Sequence, residues 1–330
     1  MHKIKIAQIG TNGYSHGRHI WNSLKKQSDI FDVAGYAFPE NEREKFPHLM
    51  ELYDGYKELT IEEILNDSQI EAVVVETEET YLAKYAIMAV KAGKHVHVEK
   101  PGGNELGEFE ELVKIAEESD KVFHVGYMYR YNPYVIELMK KVKNGEFGEI
   151  ISIEAQMNCR HKKEVREWFG NFKGGNMFFL GCHLVDLIFG IQGMPKNVIS
   201  LNRSTGMDGL HTQDFGMAIL EYEHGVSFAK VNSTEMGGYL RRQFVVTGTK
   251  ASMELKPFEI DTGNGFKTTK TYCDFTDWHK NGIQTTTEIF DRYDVMMQAF
   301  AEYVTGEKEN PYTPHYELEL YKLILKCCGV

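Results

Sequence analysis

Across its first 125 residues this chain exchanges two hydrophobic periodicities in a regular order, and that exchange constrains its fold more than any other feature. Five short apolar runs suit buried strands: Ile4–Ile9, Phe31–Phe38, AVVVE from Ala72, KHVHV from Lys94 and KVFHVGY from Lys121. Between them, apolar residues recur at helical spacing, as in Ile20, Trp21 and Leu24, or Phe109, Leu112, Val113 and Ala116. Thr60–Glu63 has the spacing of a capping box and opens a helix through Leu65, and another helix is expected over residues 81–92. AVVVE is β-branched and apolar on both faces, as a strand inside a helix-covered parallel sheet must be. Strands alternating with helices predict a doubly wound parallel sheet.

Past Gly126 the pattern changes. A helix is expected over 133–144, and Ile151–Met157 then alternates strictly, as a strand with one buried face does. Phe215–Ile219, Val226–Val231 and Phe244–Thr247 alternate similarly without a helix between each pair, which predicts mainly antiparallel pairing. Further helices are expected over 176–190, 291–305 and 316–328. The expected organisation is an α/β domain over residues 1–125 and an α+β domain with an open, mainly antiparallel sheet over residues 126–330. The outer face of that second sheet is too apolar to leave wet, so a homo-dimer or homo-tetramer packed through it is expected.

The length of 330 residues agrees with two domains, and 42% hydrophobic with 26% charged residues suits an ordered globular protein. A formal net charge of −11 with no basic stripe excludes nucleic acid as the partner class. No run approaches the apolar length of a membrane span, and the start MHKIKIAQIG passes straight into a strand, so a cytoplasmic location is expected. The cysteines at 159, 182, 273, 327 and 328 are odd in number and lack metal-ligand spacing, so they read as reduced thiols. His161, His183 and His211 likewise show no ligand spacing, and no metal is expected.

Two stretches carry candidate chemistry. Lys94–Gly103 (KHVHVEKPGG) is a strand stopped by Pro101, which has no N–H to donate and biases Lys100 away from helical geometry. Ligands of open α/β sheets sit outside the carboxyl ends of strands, so Glu99 and Lys100 are either a site pair or a solvated surface pair. The second stretch, Gly174–Asp186, places His183 and Asp186 three residues apart on one helical face, where a carboxylate either orients an imidazole or simply satisfies it. The turn GTNGYSHG, with Gly10, Gly13 and Gly17, follows the first strand and precedes a helix, as a pyrophosphate-binding turn does, although its spacing is not GxGxxG. The second strand ends in Phe38, where the dinucleotide fingerprint has an acidic residue, with Glu40 and Arg43 close behind; either a ribose or a 2′-phosphate contact fits.

In order and content these segments resemble the Gfo/Idh/MocA family, the glucose–fructose oxidoreductase and inositol dehydrogenase group. The resemblance rests on the glycine turn, AGKHVHVEKP at Ala92–Pro101, VGYMYRYNP at Val125–Pro133, NGEFGEI at Asn144–Ile150 and GGNMFFLGCHLVDL at Gly174–Leu187. It implies a Rossmann domain that binds NAD or NADP, with NAD the first choice, joined to a substrate domain. Gly10, Asn12, Gly13, Ser15, His16, Phe38, Thr77, Glu78, Glu99, Lys100 and Arg130 are then expected at the cofactor. Tyr127, Arg160, His161, Trp168, Asn176, His183 and Asp186 are expected at the substrate, with Lys100 and His183 catalytic. The implied reaction moves hydride between nicotinamide and a CH–OH carbon of a sugar, polyol or sugar derivative. Removing hydride from a carbinol also requires a base for the hydroxyl proton, a role suited to Lys100 or His183. His211 and Asp214 are candidates to close over the site.

Four positions depart from the family pattern. Phe179 stands where many family dehydrogenases have the aspartate of a Lys–Asp–His triad, Glu78 replaces the proline of a TP dipeptide, Leu82 replaces a histidine, and Phe38 replaces the acidic residue. Two other functions therefore stay open. One is a redox-neutral sugar-modifying enzyme with tightly held NAD; the other is a non-catalytic dinucleotide or sugar sensor.

Overall fold

The structure, a computed structural model, describes residues 2–330 and divides them into two compact units. Met1–Tyr127 and Tyr293–Tyr321 form the first; Met128–Arg292 and Lys322–Val330 form the second.

The first unit holds five strands, β1 (Ile4–Ile9), β2 (Phe31–Ala37), β3 (Ala72–Val75), β4 (His95–Val98) and β5 (Phe123–Val125), all parallel in the order β2-β1-β3-β4-β5. Every residue of β3 is buried, which accounts for its unbroken apolar run. The helices α1 (Gly17–Lys26), α2 (Glu42–Lys45), α3 (Ile61–Asn66), α4 (Glu79–Lys91) and α5 (Leu106–Glu117) lie between the strands in sequence. The capping box forms as the spacing requires: Glu63 N–H donates to Thr60 Oγ1 at 3.1 Å, and Thr60 N–H to Glu63 Oε2 at 2.7 Å. Trp21 is fully buried on α1, stacked on Tyr53 at 4.6 Å and edge-on to Tyr36 at 5.7 Å.

Residues 293–321 belong to this unit, where a simple two-part division of the sequence assigns them to the second domain. Their side chains explain it. On α9 (Arg292–Val304), Tyr293 stacks on His19 at 4.8 Å and Phe300 on His124 at 5.5 Å. Asn310 Nδ2 donates to the Phe123 carbonyl at 2.9 Å, and Tyr321, on α10 (Pro314–Cys328), stacks on Phe109 at 4.5 Å.

In the second unit, helix α6 (Pro133–Lys143) precedes β6 (Ile150–Asn158), α7 (Lys163–Trp168) and α8 (Cys182–Gln192). The strands β7 (Asn197–Ser200), β8 (Phe215–Tyr222), β9 (Gly225–Asn232), β10 (Gln243–Gly248) and β11 (Ser252–Leu255) follow. A short pair, β12 (Ile260–Asp261) with β13 (Phe266–Lys267), stands apart, and β14 (Thr269–Cys273) and β15 (Ile283–Thr286) complete an eight-stranded sheet. Its order is β15-β14-β11-β10-β6-β9-β8-β7, antiparallel throughout except for the parallel β6–β9 pair. The inner face packs against α8. The outer face carries an aligned row, Ile199–Ile219–Phe228–Glu154–Val245, of which all but Glu154 are apolar. The helix expected over 176–190 is broken in character: Met177–Gly181 is π-helical before α8 begins.

Among the described residues no helix is long and apolar enough to cross a membrane. Phe300 is fully buried against His97 and His124, so Phe300→Ala is expected to destabilise the first unit by about 3–5 kcal/mol, measured by urea unfolding.

Candidate active site

β3 and β4 are central in the first sheet, and their carboxyl ends deliver the candidate residues. Glu99 N–H donates to the Val75 carbonyl at 3.0 Å, which extends the ladder one residue past β4. Lys100 follows, only 1% exposed, with Nζ 3.6 Å from Glu99 Oε1. Ser15 Oγ donates to that same oxygen at 2.8 Å, so the glycine turn is tied to the EKP segment.

The turn itself is pressed against the end of β3. Gly10 has φ +91°, and a Cβ there would lie 2.6 Å from Thr77 N. Asn12 N–H donates to the Glu76 carbonyl at 2.8 Å and Asn12 Nδ2 to Glu79 Oε2 at 3.1 Å, while Gly13 lies against the Phe46 ring. α1 then begins with no acidic residue in its first turn and no side-chain cap, which leaves the positive end of the helix open to an anion. His16, just before it, is hydrogen-bonded through Nδ1 to the Tyr293 hydroxyl at 2.9 Å. These features fit a dinucleotide pyrophosphate.

At the end of β2, Phe38 joins the Tyr36–Tyr53 aromatic cluster, so an acidic ribose ligand is replaced by a ring. The Arg43 guanidinium lies 5.6 Å from the centre of that ring and pairs with the exposed Glu58. Glu78 pairs with Lys45 at 3.1 Å, and Thr77 Oγ1 donates to the Glu78 carbonyl at 3.3 Å. Tyr127 is buried at the end of the first segment of this unit.

The sequence reading missed how acidic this edge is. Glu42, Glu76, Glu79 and Glu99 are all buried. Glu42 Oε2 accepts the Thr11 N–H at 2.8 Å, yet burial pushes its carboxyl up to about 8. Burial likewise raises Glu79 to about 8 and, with the Glu76 charge, Glu99 to about 7; Lys100 opposes both shifts. Glu76 is raised well above the ordinary carboxyl value by burial, again against the pull of Lys100. A charged residue closing the AVVVE strand was the available signal for Glu76.

In the second unit His183 is buried on α8, edge-on to Tyr129 at 4.9 Å. Tyr129 is held in turn: its hydroxyl donates to Glu259 Oε2 at 2.6 Å and accepts from Arg242 and Arg292 at 3.2 and 3.1 Å. Burial opposes the Glu259 charge, but Arg292 and Arg242 outweigh it and hold this carboxyl below its usual range. Arg130 and Asp186 are engaged with each other. Arg130 Nε and Nη2 donate to Asp186 Oδ1 at 2.9 and 2.7 Å, a buried pair that fixes the Met128–Tyr131 turn to α8. This two-pronged grip by a guanidinium is stronger than an imidazole contact, so it takes the carboxylate proposed for orienting His183.

Phe179, in place of the family aspartate, closes an aromatic cluster with Trp168, Phe169 and Phe172 at centroid distances of 5.1, 5.5 and 6.4 Å. Trp168 is thereby a packing residue of that cluster. A cavity of about 540 Å³ is lined by Phe169, Phe172, His211, Thr212 and Gln213 among others. Asn176 is buried, its N–H donating to the Gln213 carbonyl at 2.8 Å. His161 packs edge-on to Phe169 at 5.7 Å, and burial pushes its imidazole down to about 4. Arg160 is exposed and donates to the Thr234 carbonyl at 3.3 Å. Asp214 does not close over anything: it is buried, accepts from Thr205 N–H and Oγ1 at 2.8 and 2.9 Å, and pairs with Arg166. Among the described residues no cluster of His, Cys, Asp or Glu is placed to hold a metal ion.

Residues 4–127 match the model of the Gfo/Idh/MocA oxidoreductase family's NAD-binding Rossmann fold, and residues 135–254 match the model of the Gfo/Idh/MocA C-terminal domain. The chain is similar to scyllo-inositol 2-dehydrogenase (NADP(+)) IolW of Bacillus subtilis, 25% identical over 67% of this chain and 61% of that protein. It is also similar to glucose-6-phosphate 3-dehydrogenase of the same organism, 27% identical over 56% of this chain and 53% of that protein. These alignments thus span 53–61% of the relatives' own length. Two solved structures share the fold. One is an oxidoreductase of Thermotoga maritima (TM-score 0.79, 19% identity, 99% of this chain and 96% of that one). The other is KijD10, a 3-ketoreductase of Actinomadura kijaniata in complex with NADP and TDP-benzene (TM-score 0.78, 16% identity, 98% and 96%).

The raised carboxyls have a consequence for stability. Glu42 and Glu79 titrate at about 8 when folded against 4.5 ordinarily, so their contribution is fully present below 4.5 and lost as pH rises through 8. The melting temperature of the ligand-free protein is expected to fall from about pH 6 to about pH 9, and Glu42→Gln to flatten that fall, in thermal scans.

Proposed function

Because this chain belongs to the Gfo/Idh/MocA oxidoreductase family, we propose that it is an NAD(P)-dependent dehydrogenase or reductase acting on a CH–OH carbon of a sugar, inositol or sugar derivative. The observation that carries the reading is the burial of Lys100 at the carboxyl end of a central parallel strand, 3.6 Å from a carboxylate. A lysine so placed has little use as surface charge and much as a group that exchanges a proton. The nicotinamide ring, when bound, accepts or supplies the hydride. Lys100 exchanges the hydroxyl proton, and the family resemblance gives His183 a substrate contact. Gly10, Asn12, Ser15 and the first turn of α1 hold the pyrophosphate, with Thr77 and Glu99 flanking it. The relatives named for inositol and glucose-6-phosphate dehydrogenation support the substrate class.

For the cofactor we favour NADP over NAD. Phe38 leaves no carboxylate at the end of β2 to hold a ribose 2′-hydroxyl, and Arg43 lies over its ring. The Arg43–Glu58 pair is exposed, worth about 0–1 kcal/mol, so a 2′-phosphate can displace Glu58. The apolar outer row of the second sheet supports a homo-oligomer packed through it, and five free cysteines fit a reducing cytoplasm.

Purified protein should reduce NADP with at least one member of a panel of inositols, aldoses and sugar phosphates, followed by nicotinamide absorbance. Lys100→Ala should lower kcat by about 100- to 10,000-fold. Full activity in that variant, or inactivity of the native protein on the whole panel, would sink the reading. By titration of cofactor fluorescence, Arg43→Ala should weaken NADP about tenfold and leave NAD unchanged.

A further inference from the structure

Behind Lys100 the first unit contains an array to which the hydride-transfer reading gives no part in moving the proton. Glu76 closes β3, and neither of its carboxyl oxygens has a hydrogen-bond partner. Its Oε1 lies 3.5 Å from His97 Nε2, an atom that is likewise unpartnered. Glu99 Oε2, Glu79 Oε1, Glu42 Oε1, Thr11 Oγ1 and Gln8 Oε1 are further buried polar atoms without partners at this edge. His97 Nε2 and Glu99 Oε2 flank the same point, each 3.4 Å from where a Cβ on Gly126 would stand, so the His97 imidazole is next to both carboxyls. On its other side His97 Nδ1 meets His124 Nδ1 at 2.8 Å, a distance that requires one ring to donate and the other to accept. Residues that pack a core do not ordinarily leave so many polar atoms unanswered.

The groups facing Glu76 can be named element by element. His97, Glu99 and Lys100 come from β4 and its extension, Glu79 from α4, and His124 from β5 beyond His97. The Tyr53 hydroxyl feels both Glu42 and Glu76. Glu76, Glu79 and Glu99 all feel the Lys100 ammonium. One ammonium cannot offset three ionised carboxylates away from water, so the carboxyls share protons rather than ionise together.

We propose that Glu76 and Glu99 form a proton-sharing pair behind Lys100, in which Glu99 takes the substrate's hydroxyl proton by way of Lys100 and Glu76 is the positioning residue that keeps Glu99 able to take it. The inference rests on Lys100 as the group that meets the substrate. The substrate O–H bond breaks as an N–H bond forms on Lys100, and in the same step one N–H bond of the Lys100 ammonium breaks as an O–H bond forms on the ionised Glu99. The hydrogen on the carbinol carbon would pass with its electron pair to a bound nicotinamide. Run in reverse, Glu99 supplies the proton for reduction. Two carboxyls that share a site titrate as a pair, and the value of about 7 at Glu99 suits an acceptor working near neutrality.

The test is the pH dependence of kcat for oxidation in Glu76→Gln, which keeps the side chain's size and removes its charge. Freed from a like-charged neighbour, Glu99 should titrate lower, and the acid limb of the profile should move down by about one pH unit or more. A folded Glu76→Gln with an unmoved limb overturns the proposal, while loss of turnover in Lys100→Ala in the same series would leave the hydride-transfer reading standing. A measurement on the native protein needs neither a variant nor a substrate. With 13C-labelled glutamate, the infrared spectrum at neutral pH should show a protonated buried carboxyl that is lost as the pH is raised. Its absence overturns the proposal whether or not a substrate is found.

Discussion

Lys100 brings its ammonium into an edge of the parallel sheet where Glu76, Glu79 and Glu99 are already out of water, and the first unit is arranged around that balance. Removing a carboxylate from water costs several kcal/mol unless a cation or a proton offsets it. Lys100 offsets part, and retained protons offset the rest. The glycine turn enters the same balance through Ser15, which donates to Glu99, and Asn12, which donates to Glu79. A change of charge at Lys100 is therefore felt along the whole turn that would receive a pyrophosphate.

The second unit solves a similar problem by different means. Around His183 the buried charges are matched by guanidinium groups instead of protons: Arg130 with Asp186, and Arg242 and Arg292 with Glu259. Guanidinium groups stay charged over all accessible pH and bond in a planar fork, although burial still raises the Asp186 carboxyl against the pull of Arg130. In the first unit burial instead raises the carboxyls, Glu42 and Glu79 to about 8 and Glu99 to about 7.

Phe179 shows how one substitution is absorbed. An aspartate there would need a buried partner, whereas the phenylalanine finds Trp168, Phe169 and Phe172 already in place. The π-helical turn over Met177–Gly181 seats that ring one turn before the histidine.

By itself the sequence determined the class of both sheets, the capping box at Thr60, and the position of Glu99 and Lys100 at a strand end. These follow from local periodicity and from proline, whose effects act within a few residues. Three things were decided only by tertiary structure. Residues 293–321 return to the first unit, because Tyr293, Phe300 and Tyr321 find aromatic partners there that lie about 180 to 270 positions away in sequence. Asp186 went to Arg130, since i, i+3 spacing on a helix says nothing of a guanidinium 56 residues distant. The gathering of Glu76, Glu79, Glu99 and His97 behind Lys100 needed parallel strands laid side by side, and register across a sheet is a long-range property that no local pattern encodes.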